Sequence, residues 1–151
     1  MNIRNSEYEL TLENGDKITI KRHGYQKNDA VGQSHCLNQD AAYREIIPKE
    51  EGLAIDADGN VFMDSESSHY KAHESMEQFW DKYRQGGKLY RTKPTVGEYN
   101  SALKESMVNA GFSEGDADLI TEIAANQQRA YGLTEADEVP RILGRINAIE
   151  R

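Results

Sequence analysis

The chain has 151 residues and a formal net charge of −8, with 37% hydrophobic and 29% charged residues. That length suits one domain, 1–151, with its own core, and the aromatics and periodic segments exclude disorder. No apolar run approaches the roughly 18 residues of a membrane span, the opening Met1-Asn2-Ile3-Arg4-Asn5-Ser6 lacks the hydrophobic stretch of a signal peptide, and a single cysteine forbids an internal disulfide.

The first element reads as a hairpin. Tyr8-Glu9-Leu10-Thr11-Leu12 alternates, Asn14-Gly15 supplies the positive-φ pair of a tight turn, and Lys17-Ile18-Thr19-Ile20-Lys21 alternates back. After a polar stretch, Ser34-His35-Cys36 opens a short element leading into a helix over Asn38–Ile47, stopped by Pro48. Leu53-Ala54-Ile55-Asp56 and Val61-Phe62-Met63 flank the turn signal Ala57-Asp58-Gly59-Asn60, which predicts a second hairpin with Asn60 at or just past its tip.

Ser67 and Ser68 are natural N-caps for a helix from His69 to about Arg84, closed by Gly86-Gly87, with Tyr70, His73, Met76, Phe79, Trp80 and Tyr83 on its apolar face. Thr95-Val96-Gly97-Glu98 is a capping box for a helix through Tyr99, Leu103, Met107 and Val108, ending at Gly111. Ser113-Glu114-Gly115-Asp116 repeats the device for Leu119, Ile120, Ile123, Ala124, Gln127 and Ala130, ending at Gly132. A turn around Thr134–Asp137 leads to Pro140 and a basic-apolar tail. Strands first and helices after make the fold class α+β.

Charge is unevenly distributed. Lys82, Arg84, Lys88, Arg91 and Lys93 fall in one run without an acid, whereas the net acidic excess accumulates mostly after Pro94. The acidic total argues against a general nucleic-acid coat protein, yet the basic run could contact a phosphate backbone. A solvated basic loop explains the same run equally well.

Three of the four histidines stand in an order of their own: His35 beside Cys36, then Asn60, then His69 and His73 four residues apart. Imidazoles at i and i+4 share a helix face and can grip one ion. The order His…Asn…His-x3-His resembles the ββα-metal nucleases of the HNH and endonuclease VII superfamily. The spacing Asn-x8-His-x3-His also recurs in colicin-type nuclease toxins. Ser34-His35-Cys36, with Leu37-Asn38-Gln39-Asp40-Ala41-Ala42-Tyr43, resembles the Ser-His-His signature of one subfamily of bacterial polymorphic toxins, the C-terminal domains of large secreted proteins with Rhs repeats. Phe79-Trp80-Asp81-Lys82-Tyr83 and the stretch from Val139 to Asn147 fit the same subfamily, so the likeness spans about residues 30–147.

The resemblance implies a hairpin plus a ββα-metal core at about 30–85 and a helical extension over 94–151. It implies one divalent ion (Mg, Zn, Ni or Mn) held by His35, His69 and His73, with His35, Cys36 and Asn60 as catalytic residues. DNA is the expected substrate and RNA the runner-up, and a cognate immunity protein is the expected partner. The setting it implies is a secreted effector domain acting in the cytoplasm of a target cell.

Cys36 departs from the pattern. In the usual register it occupies the general-base position, where a thiol is a poor substitute for imidazole near neutral pH, giving a disarmed or divergent copy. In the alternative register His35 is the base, with Ser34 or water completing the ion's shell. Two other classes stand beside the nuclease. A zinc-stabilised interaction domain would use Cys36 and the histidines without catalysis; an acidic binding or inhibitor module would explain the charge and leave the histidine order to chance.

Overall fold

A computed structural model describes residues 7–22, 34–56 and 66–144, with the backbone alone at 34–35, 49, 56 and 66–70. The fold is α+β, with the strands at the N-terminal end and the long helices after them. β1 (Tyr8–Thr11) and β2 (Lys17–Arg22) form the expected antiparallel hairpin, in which Leu10 pairs with Ile18. Gly15 takes φ 94° in its turn, a conformation open to glycine at no steric cost.

β3 (Ser34–Cys36) is followed by a short helix α1 (Asp40–Tyr43), a 3-10 turn at Lys49–Glu51 and β4 (Leu53–Asp56). The helix expected over Asn38–Ile47 therefore shrinks to a single turn. Its first donors are not taken up by Gln39, which sits at the N-cap without a side-chain cap bond. That side chain is engaged elsewhere, accepting from Trp80 Nε1 at 2.8 Å.

The sheet order is β1-β2-β4-β3, antiparallel throughout. Both edges of β4 are thus taken, by β2 on one side and β3 on the other. The hairpin partner expected for β4, Val61-Phe62-Met63, and its turn with Asn60 lie outside the described residues. The register puts Ile20, Ile55 and His35 side by side on one face, and Lys21, Ala54 and Cys36 on the other. Ile18, Ile20, Leu53 and Ile55 belong to the same buried cluster as Trp80, Tyr99 and Leu103, so the first face is the one covered by the helices.

Helix α2 (Glu66–Asp81) starts earlier than its sequence suggests, leaving Ser67 and Ser68 inside it rather than at the cap. It also ends earlier. Beyond Asp81 the backbone tightens to three-residue bonds, Tyr83 N to Trp80 O and Arg84 N to Asp81 O, and Gly86 reverses the chain at φ 92°. Met76, Phe79, Trp80 and Tyr83 are buried as the 3.6-residue period requires. Phe79 meets Trp80 edge-on at 5.0 Å, and Tyr43 meets Tyr99 in the same way at 5.1 Å.

α3 (Val96–Asn109) has its capping box complete. Thr95 Oγ1 accepts from Glu98 N at 3.1 Å, and Glu98 Oε1 accepts from Thr95 N at 2.8 Å. α4 (Glu114–Ala130) is capped by Ser113 Oγ, which accepts from Asp116 N at 3.1 Å. Gly111 and Gly132, at φ 112° and 90°, end the two helices. Val108 and Leu119, expected on apolar faces, are instead exposed at 40% and 47%. Among the described residues no helix is long and apolar enough to cross a membrane.

Candidate functional site

The candidate residues come from two places in the fold. His35 is the middle residue of β3, paired with Ile55 on the helix-covered face of the sheet. Cys36, its neighbour, is half-buried, takes part in no disulfide, and pairs with Ala54 on the opposite face. Consecutive residues of a strand alternate between its faces, so the register sets positions 35 and 36 on opposite faces of the sheet. His69 and His73 are both in α2, one helical turn apart. The His73 side chain is half-buried, with Nε2 beneath the surface. Asn60 lies outside the described residues.

Among the described residues no three His, Cys, Asp or Glu side chains form a group that could hold a metal; of the three ligand candidates, His73 alone has its side chain described. The donor chemistry nevertheless fits an ion. Imidazole nitrogens suit zinc or nickel, whereas magnesium and manganese prefer oxygen ligands.

The segment leaving β3 is held by all three long helices. Tyr99 of α3 donates its hydroxyl to Leu37 O and accepts from Gln39 N at 3.0 Å. Trp80 of α2 donates to the Gln39 side chain. Asn38 is gripped by α4, donating to Ala124 O and Gln127 Oε1, each at 3.2 Å, and accepting from Gln128 Nε2 at 2.6 Å. Gln128 and Asn100 exchange two further bonds at 2.9 and 2.7 Å. Gln127 bonds across to the start of β4, donating to Glu51 O at 2.7 Å and accepting from Leu53 N at 3.3 Å. All four amide side chains are buried.

This network was not evident from the sequence, which held one signal of it: Gln127 sits where the periodicity of α4 demands an apolar residue. Burial of an amide costs unless its donors and acceptors are matched, and here they are matched to one another and to the strand ends. The three long helices are therefore not an appendage to the sheet. They fix the three residues that leave β3. Burial raises the Tyr99 hydroxyl above its ordinary pKa, the Gln39 backbone bond opposes this, and nearby Cys36 adds to it, so Tyr99 stays a neutral donor.

The basic run divides. Arg84, a candidate phosphate contact, is 9% exposed and all five of its N–H donors are engaged. Nε donates to Leu143 O at 2.9 Å, Nη1 to Glu77 and Asp81 at 3.0 and 2.9 Å, and Nη2 to Glu77 and Gly144 O at 3.1 and 3.0 Å. Burial disfavours its charge, but Glu77 and Asp81 outweigh this and raise its pKa. Arg84 is thus a clamp joining α2 to the C-terminal segment and has no donor left for phosphate. Lys82, Lys88, Arg91 and Lys93 remain at the surface. A scan of the chain against protein-family models, and searches of curated proteins and of solved structures, find no match.

Proposed function

We propose that the chain is a metal-dependent nuclease domain of a secreted interbacterial effector, hydrolysing phosphodiesters with DNA preferred to RNA. One observation carries this reading. The antiparallel pair β3–β4 followed by α2 is a β-β-α order, with His35 on its first strand and His69 and His73 a turn apart on its helix. The helix-covered face of the sheet includes position 35, which supports a site between strand and helix.

In this reading His69 and His73 hold a divalent ion. When bound, the ion neutralises charge on the phosphate and stabilises the leaving alkoxide. His35 takes the proton from the attacking water, because its imidazole accepts protons near neutral pH and it shares the face of the helices. Cys36 takes the alternate register position on β3, opposite Ala54, so the proton transfer is assigned to His35 and not to the thiol. The alternation of β3 therefore favours His35 as base over the disarmed form. An immunity protein is the partner this class of toxin requires.

The test is divalent-metal titration by calorimetry followed by plasmid nicking. Binding that His73→Ala abolishes, with cleavage lost on His35→Ala and retained on Cys36→Ala, is the expected outcome. Tight metal binding without nicking by the wild-type chain or Cys36→His would leave a structural zinc domain instead. Absence of both would sink the nuclease reading.

A further inference from the structure

After α2 the chain makes a compact loop that satisfies its own backbone. Gly87 N bonds Arg84 O at 2.8 Å, Leu89 N bonds Lys82 O at 2.7 Å, and Thr92 N bonds Leu89 O at 3.0 Å. Gly87 lies so close to the end of α2 that a Cβ there would collide with the carbonyl oxygens of Asp81 and Lys82. Past the buried Tyr83 and Arg84, the loop presents its side chains to solvent from Lys88 to Lys93. Leu89 and Tyr90 are 40% and 46% exposed, among the few large apolar side chains of the described residues left in solvent. Arg91 takes φ 78°, a left-handed backbone that a non-glycine residue adopts only when its surroundings hold it. Its guanidinium carbon sits 5.6 Å from the centroid of the Tyr90 ring. Folding gives no reason for this arrangement, since neither side chain enters the core.

We propose that the loop from Lys82 to Lys93 binds single-stranded nucleic acid, with Tyr90 and Arg91 as a stacking platform for a base and Lys88 and Lys93 on the flanking phosphates. The inference rests on the nuclease reading for its choice of substrate and deepens it. A base stacks on an aromatic face or a guanidinium plane, and here the Arg91 guanidinium lies over one face of the exposed Tyr90 ring, so the two form one stacked unit on which a base can continue. Lys93 donates to Pro140 O at 3.1 Å, which leaves its ammonium two further donors. Charge narrows the occupant. In a chain of net charge −8, an anionic membrane would press its plane against the acidic surface as well as the loop, whereas a single strand touches the loop alone. Duplex buries the π-faces that Tyr90 would use. The loop begins about 12 Å beyond His73 along the axis of α2.

The experiment is fluorescence anisotropy on the full chain in chelator, where no cleavage occurs, with a labelled oligothymidylate. Preference for this strand over duplex of equal length, about tenfold weaker binding for Tyr90→Ala, and a shallower salt dependence for Lys88→Glu are expected, with unchanged thermal unfolding. The proposal is overturned if the wild-type chain does not bind. It also falls if the Lys88→Glu/Tyr90→Ala double variant binds as well as wild type, or if duplex or anionic phospholipid vesicles compete better than single strand. Nicking by the metal-loaded chain is scored apart. Loop-dependent binding without nicking removes the nuclease reading alone, and nicking without loop-dependent binding removes the loop alone.

Discussion

Gln128, near the end of α4, donates from Nε2 to both Asn38 Oδ1 and Asn100 Oδ1, at 2.6 and 2.7 Å. One amide thus holds the exit of β3 and the start of α3 together. Gln128→Leu removes the donor while leaving both acceptors buried, so we expect a loss of about 2 kcal/mol, read from urea unfolding. A replacement costing less than about 0.5 kcal/mol would show that the amide cluster is not coupled.

Tyr99 and Tyr43 are both buried, but their hydroxyls differ. Tyr99 bonds Leu37 and Gln39, whereas the Tyr43 hydroxyl has no hydrogen-bond partner among the described residues. Tyr99→Phe is expected to cost about 1–2 kcal/mol and Tyr43→Phe to be neutral or stabilising, by thermal unfolding.

The same pair sets the alkaline limit. Burial raises both phenols well above their ordinary value of 10.0, so at high pH the folded chain keeps protons that the unfolded chain has released. Their contribution is complete below pH 10 and declines as pH rises beyond it, because there the unfolded state binds fewer protons. Stability measured from about pH 9 to about pH 12 should fall in the wild-type chain and fall less steeply in the Tyr43→Phe/Tyr99→Phe double variant; equal slopes would contradict this.

Arg84→Ala removes the two guanidinium bonds to the buried Glu77 carboxylate and releases two carbonyls of the C-terminal segment. The expected loss is about 3–5 kcal/mol, and Arg84→Lys should not restore it, since an ammonium cannot match the five-donor fork. Urea unfolding of the two variants checks both statements.

The caps offer a gentler comparison. Thr95→Ala removes the Oγ1 acceptor of the capping box but keeps the backbone N–H that donates to Glu98, and Ser113→Ala removes the one cap bond of α4. Each should cost about 1 kcal/mol, by chemical unfolding.

The elements whose signals are local were legible in the sequence. Asn14-Gly15 announced the hairpin, and Thr95 and Ser113 announced the starts of α3 and α4 at the correct residues. Ser67 and Ser68 misled because a serine caps only where the backbone has not yet turned helical, and α2 begins at Glu66. The illegible parts depended on partners far along the chain. Nothing near Arg84 distinguishes it from Lys82 or Lys88; the carbonyls of Leu143 and Gly144 decide its role. Adjacent words in the sequence likewise made His35 and Cys36 a unit, and only the pairing of β3 with β4 separates them onto two faces.

The bond from Gln128 to Asn38 spans 90 positions, and that from Asn38 to Ala124 spans 86. Contacts so distant along the chain form late, after the entropy of closing a long loop has been met. A chain emerging N-terminus first carries His35 long before it carries the helix that anchors the residues beside it. The candidate site therefore has a built-in order of assembly: the residues that would do chemistry come first, and the geometry that would let them act waits for α4.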